Sequence, residues 1–201
     1  MEQIFAPWRI EWVERDPAEK TVDGCPFCVL PEREADRSNL IVARSDRSFA
    51  ILNNYPYNPG HLMVIPDRHV GAYEALTPAE LFDHARLTQV AIEALEAGLG
   101  PDGLNTGMNL GAGAGGSIGA HLHTHLVPRW EGDTNFMAVV GETNVIVEAV
   151  AETYDRLHSG FAAQPNATVE GEDRAVQVSF DAERADVDEI DEDGFDGDGT
   201  E

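Results

Sequence analysis

The sequence predicts one domain of mixed strands and helices, residues 1–160, followed by an acidic, largely disordered tail, residues 161–201. Three observations carry that reading. Short β-rich runs recur at 39–66 and 104–126, two longer stretches repeat their apolar residues at helical spacing, and the periodicity fades beyond Gly160. A chain of 201 residues is long enough to bury one full core.

The elements follow in order. Residues 39–53, "NLIVARSDRSFAILN", hold two β-rich runs broken by the polar pair Ser45-Asp46, the pattern of a hairpin. After "NYPYNPG" comes "HLMVIP", a third strand closed by Pro66. At "TPAELFDHARLTQVAIEALEAGLG", Thr77 stands at the N-cap position, Pro78 at the first helical position and Glu80 where a capping box needs it. Leu87, Val90, Ala91, Ala94 and Leu95 then form an apolar stripe, and Gly98 or Gly100 closes the helix. Residues 104–110, "LNTGMNL", read as a strand. The glycine-rich "GAGAGGSIGA" separates it from a strand at "HLHTHLV", and a second helix is expected over 143–158, with Ile146, Val150, Tyr154 and Leu157 on one side. From about Asp186 the acid-rich end has the composition of a disordered segment.

Charge narrows the function classes. The chain carries 37 Asp and Glu against 13 Lys and Arg, a net charge of −24, and Lys20 is its one lysine. Residues 170–201 hold 14 acids and two arginines, so half of the net charge lies there and half on the body. Such a surface argues against a nucleic-acid backbone as partner, which needs clustered basic residues, and it is the balance expected of a protein from a high-salt, halophilic cytoplasm. An anionic small substrate must be met by local neutralising groups. No apolar run approaches the roughly 18 residues of a membrane span, and "MEQIFAPWRIEWVERD" has no apolar core of a secretory signal, so a cytoplasmic location is expected. Cys25 and Cys28 in "CPFC" suit a metal or redox role better than a structural disulfide.

The most informative stretch is "HLHTHLVPRW", residues 121–130. In a strand, His121, His123 and His125 share one face while Leu122, Thr124 and Leu126 take the other. Three readings stand. The histidines can simply be satisfied on a polar sheet face. They can hold a metal, although at about 3.3 Å per residue the outer pair lies about 13 Å apart, too far to share one ion. Or they can serve phosphate chemistry, one imidazole attacking phosphorus while its neighbours stabilise charge and the upstream glycines bring backbone N–H groups close.

These residues resemble the histidine triad (HIT) family, whose signature alternates histidine with apolar positions. Here it reads "HLHTHLV", with Thr124 as the one departure, at a position facing away from the site. "PYNPGHLMVIPDRHV", "NLGAGAGGSIGAH" and "VPRWEGDTNFMAVVG" extend the resemblance over about residues 5–158. The resemblance implies an α+β fold with an antiparallel sheet of about five strands and two main helices, assembled as a homodimer. It implies a nucleotidyl hydrolase or transferase acting on dinucleoside polyphosphates or nucleotide conjugates, adenine nucleotides above all. His123 would attack the α-phosphorus and carry the nucleotidyl group, His125 would contact the phosphate or leaving group, and His61 would help close the site. Asn53 falls where the family binds ribose, with a turn residue as its other reading. Asn109 and Ser117 would flank the scissile phosphate, and Gly115 and Gly116 would supply backbone donors. The acceptor stays open between water and phosphate, the latter making the protein a diadenosine tetraphosphate phosphorylase. The same residues would also suit a phosphoramidate hydrolase or a non-catalytic nucleotide-binding module.

Some branches of the family also carry structural zinc on a Cys-x-x-Cys pair, a later histidine and the first triad histidine. By that resemblance Cys25, Cys28, His69 and His121 form a Cys2His2 set suited to tetrahedral Zn2+. His121 would then serve the metal and leave His123 to attack.

Overall fold

Strands β1 (Ile41–Arg44) and β2 (Ser48–Leu52) form the expected hairpin. Its turn is tied by the Ser45 N–H, which donates to the Ser48 carbonyl at 2.8 Å. In this computed structural model, which describes residues 24–114, 121–133 and 149–180, β3 (Leu62–Pro66) pairs antiparallel with β2 along its whole length, Ser48 opposite Pro66 and Leu52 opposite Leu62.

Two long helices lie against one side of this sheet, and a short one, α1 (Pro26–Glu32), packs on the other. Helix α2 (Pro78–Leu99) starts as its sequence dictates: the Thr77 hydroxyl accepts from the Glu80 N–H while the Glu80 carboxylate accepts from the Thr77 N–H. It ends at Gly100, whose left-handed φ of 60° a side chain would strain. Leu87, Val90, Ala91, Ala94 and Leu95 are buried as one stripe. Helix α3 (Val150–Ala162) turns Tyr154, Leu157 and Phe161 inward. The Tyr154 hydroxyl donates to the Ile41 carbonyl at 3.0 Å, and burial pushes its phenol up to about 12, so it stays a neutral donor. Of the second helix expected over 143–158, residues 143–148, Ile146 among them, lie outside the described residues.

The sheet is completed by β4 (Gly103–Met108), β5 (Thr124–Arg129), β6 (Ala167–Thr168) and β7 (Val176–Val178), in the order β4-β5-β3-β2-β1-β7-β6. The α+β class is as expected, but there are seven strands among the described residues rather than about five. The two extra strands come from beyond residue 160: β7 runs parallel to β1, with Ala43 opposite Val176, and β6 pairs antiparallel with β7. Val176 and Val178 are buried in the main core, so residues 161–180 continue the folded body where tail was expected. Strands this short carry too little local periodicity to show in the sequence; pairing with β1 makes them. The acid-rich end from Asp186 lies outside the described residues.

Alternation sorts the sheet into two faces. Leu52, Leu62, Val64 and Leu126 pack with the stripe of α2 and with Tyr154, Leu157 and Phe161 of α3. Phe49, Ile51, Met63 and Ile65 pack on the opposite face with Phe27 of α1. His125 stands opposite Met63 in the β3–β5 register. The histidine row thus belongs to the α1 face.

Candidate functional site

β5 begins at Thr124, so His121 and His123 lie in the segment leading into the strand rather than within it. The alternation nevertheless holds. Leu122 and Leu126 are buried, and His123 and His125 pack edge-on with ring centroids 4.8 Å apart. Thr124, the departure from the family pattern, is buried on the far side, where its hydroxyl meets His84 Nε2 of α2 at 2.7 Å. Burial brings the His84 imidazole down to about 4, so the pair is neutral at ordinary pH. Sequence pattern does not single out His84, although a hydroxyl at a core position signals a buried polar partner.

Hydrogen-bond partners assign a different tautomer role to each histidine of the row. His121 Nε2 donates to the Pro66 carbonyl at 2.8 Å, which leaves Nδ1 as its lone-pair nitrogen. His123 Nδ1 donates to the His121 carbonyl at 2.8 Å, which leaves Nε2 as the lone-pair nitrogen. The Tyr57 backbone N–H donates to His61 Nδ1 at 3.2 Å, so His61 Nε2 carries a proton and donates to His125 Nδ1 at 2.9 Å. The proton of His125 is thereby placed on its Nε2. The row offers, in order, a lone pair facing the Cys pair, a second lone-pair nitrogen and a donor.

Local structure sets these positions. His61 is fully buried at the entry to β3, behind Gly60, whose φ of 76° suits glycine and whose Cβ, if present, would collide with Leu99. The Tyr57 ring stacks on His61, centroids 4.8 Å apart and 17° from parallel. That makes Tyr57 part of the site, where sequence pattern alone suggests loop packing; its spacing of four residues from His61 across the Asn58-Pro59-Gly60 turn is the signal that points to the contact.

At the other end of the row lie Cys25, Cys28, His69 and His121, their donor atoms all within 4.8 Å of one another. Cys25 Sγ is 3.4 Å and Cys28 Sγ 3.6 Å from His121 Nδ1, and Cys28 Sγ is 3.2 Å from His69 Nδ1. Tetrahedral bonding at about 2.3 Å to sulfur and about 2.0 Å to nitrogen sets neighbouring donors about 3.5 Å apart. The four residues therefore fit one metal ion, and the nitrogen that His121 presents is the one left without a proton. Burial also holds His121 below its ordinary value, keeping it neutral for a metal. Burial pushes the Cys28 thiol up, an effect a bound cation reverses.

The segment carrying His69 is fixed from α2. Arg68 donates to both oxygens of Glu80, at 2.6 and 2.8 Å, and that same carboxylate closes the capping box. Arg68 and the Thr77 N–H together hold the Glu80 carboxyl down at about 2. Leu122 N–H donates to the Val70 carbonyl, tying the loop to the row.

Of the remaining expected residues, Asn53 caps the turn before Tyr55, its Oδ1 accepting the Tyr55 N–H at 2.9 Å. Asn109 follows Met108, whose partner across the sheet is Thr124, which places it toward His123. Gly115, Gly116 and Ser117 lie outside the described residues. Phe27, unassigned from sequence, packs against both His121 and His123.

The fold, the triad row and the Cys/His cluster define the class of protein: a HIT domain matches residues 34–132, and the chain belongs to the HIT family. The AP-4-A phosphorylase of Mycobacterium tuberculosis is 41% identical to it over 170 residues, 82% of this chain and 87% of that relative. The asymmetrical bis(5'-nucleosyl)-tetraphosphatase of Schizosaccharomyces pombe is 35% identical over 98 residues, 45% of this chain and 49% of that one. Among solved structures, a Zn-bound histidine triad family protein from Mycobacterium smegmatis superposes with a TM-score of 0.56 at 26% identity, covering 69% of this chain and 94% of the other. Among the described residues, no helix is long and apolar enough to cross a membrane.

Proposed function

We propose that this protein transfers nucleoside monophosphate groups from dinucleoside polyphosphates, diadenosine tetraphosphate in particular, by way of a covalent nucleotidyl group on His123. The observation that carries the reading is the hydrogen bond from His123 Nδ1 to the His121 carbonyl, which aims the Nε2 lone pair beside the donor His125. Nε2 attacks the α-phosphorus, and the bond from that phosphorus to its bridging oxygen breaks. The leaving nucleoside polyphosphate takes the electron pair, with the His125 proton stabilising the charge. His61 holds His125 in the donating tautomer. An acceptor then attacks the same phosphorus, the N–P bond breaks, and His123 returns to its starting state.

Phosphate is the acceptor favoured, because the relative matched over most of both chains is a phosphorylase. Water is the second reading, favoured by the likeness to a tetraphosphatase. Asn53 is assigned to the ribose, and Asn109, Gly115, Gly116 and Ser117 to the phosphates. Zinc is the metal assigned to Cys25, Cys28, His69 and His121, supported by the donor set and by the Zn-bound neighbour. When bound it supplies structural cross-linking of α1 to the row. The net charge of −24 supports a high-salt cytoplasm as the setting. A homodimer would use β4, which ends the sheet order.

The test is incubation with diadenosine tetraphosphate with and without inorganic phosphate. ATP plus ADP appearing only with phosphate supports phosphorolysis. AMP plus ATP regardless of phosphate moves the reading to hydrolysis, and no cleavage under either condition overturns nucleotidyl transfer from this substrate.

A further inference from the structure

Phe27 stands inside "CPFC", between the two thiols of the metal cluster, and it is the one buried residue of α1. Its ring is T-shaped to two members of the histidine row, 5.7 Å and 82° from His121 and 5.3 Å and 60° from His123. It belongs to the apolar cluster that includes Phe49, Ile51, Met63 and Ile65, and as a phenyl ring it offers His123 a wall and no hydrogen bond. The far end of α1 is tied down independently: Asn39 Nδ2 donates to the Leu30 carbonyl at 3.2 Å and Arg44 to the Pro31 carbonyl at 3.0 Å. The near end has Cys25, Cys28 and Phe27 itself. A seven-residue helix has little stability of its own, so the seat of the Phe27 ring depends on what holds the two thiols.

Among the described residues, His123 in turn has one hydrogen bond fixing its ring, from Nδ1 to the His121 carbonyl. One such bond leaves the imidazole able to swing about the χ2 torsion and exchange tautomers unless neighbours close the alternatives. Phe27 and His125 are the two described rings packed against it, at 5.3 and 4.8 Å.

We infer that Phe27 is a positioning residue that couples the metal cluster to the nucleophile: thiols gathered on an ion seat the Phe27 ring, and the ring holds His123 in the tautomer that presents Nε2. The functional consequence rests on His123 being the nucleophile proposed above, whereas the coupling itself is a property of the imidazole and is read without turnover. It predicts that the metal end acts on the chemistry through packing, beyond pinning the chain.

The experiment uses the full chain labelled with 15N-histidine and loaded with zinc, with the His123 tautomer followed by long-range proton–nitrogen NMR. Wild type shows a fixed Nδ1–H form. Phe27→Leu, which keeps apolar bulk without the ring, gives averaged nitrogen shifts at His123, while its cobalt(II)-loaded form keeps the thiolate absorption of an intact cluster. With diadenosine tetraphosphate, kcat falls roughly 10- to 100-fold and KM stays within about twofold, the range seen when groups orienting a site are removed. Wild type stripped of metal by a chelator shows the same averaging, which covers the case of a variant that fails to fold. A His123 that keeps its fixed Nδ1–H form in Phe27→Leu, or in stripped wild type, overturns the coupling. If wild type turns over no dinucleotide while its His123 responds as described, the coupling stands and the nucleotidyl-transfer reading falls.

Discussion

The two ends of the histidine row are assembled in opposite ways. At the metal end, positions 25, 28, 69 and 121, far apart in sequence, bring four donor atoms within 4.8 Å of one another, from α1 and the segments beside β3 and β5. At the other end, His61, His123 and His125 are seated on or beside β3 and β5, which are interior strands of the sheet, and are oriented by hydrogen bonds from Tyr57, from one another and to the His121 carbonyl. The first arrangement gathers donors that fit one ion, whereas the second is oriented by backbone and side-chain hydrogen bonds, with Phe27 packed against both His121 and His123 between them. His121 belongs to both: its ring faces the cluster and its carbonyl accepts from His123 Nδ1.

The sharpest way to separate the ends is His123→Ala. Turnover should fall on the order of 10³-fold or more, while zinc content by elemental analysis stays equimolar; loss of the metal along with activity would merge the two ends into one unit. A milder probe is chelation. Amide exchange should accelerate over residues 25–32 by about 10-fold or more once the thiols are released, with β2, β3 and β5 staying protected. Uniform acceleration across the sheet would mean that the metal supports the whole fold.

A third probe lies behind the row. His84 ionises at about 4 in the folded protein, below its ordinary value of about 6.5. Below pH 6.5 the unfolded chain takes up a proton that the folded chain refuses, so the contribution is full above that pH and is lost as pH falls toward 4. The expected loss is about 2–3 kcal/mol. His84→Leu should flatten the difference between urea midpoints at pH 7 and pH 4.5; an equally steep fall in the variant would assign the acid sensitivity elsewhere.

What the sequence revealed follows the same division. Elements specified locally were legible: the Thr77–Glu80 capping box, the Leu87-to-Leu95 stripe and the hairpin turning at Ser45 all stand where pattern placed them. So were the donors of the Cys/His cluster, because Cys, His and their spacing announce chemistry. Features created by tertiary contact were not. β6 and β7 exist through pairing with β1, and α1, which opens on Pro26 and contains Pro31, looks like loop in sequence. Phe27, Tyr57 and His84 matter through what they touch, and nothing in an isolated Phe, Tyr or His says which imidazole or hydroxyl it will meet.

Whether His121 serves the metal while His123 takes the nucleotide is decided by rapid acid-free quenching of zinc-loaded protein mixed with diadenosine tetraphosphate, followed by peptide mass spectrometry and metal analysis of the same sample. An adenylyl adduct on His123 with zinc still equimolar is expected. An adduct on His121 or His125, or one that forms only as zinc is lost, would contradict that assignment.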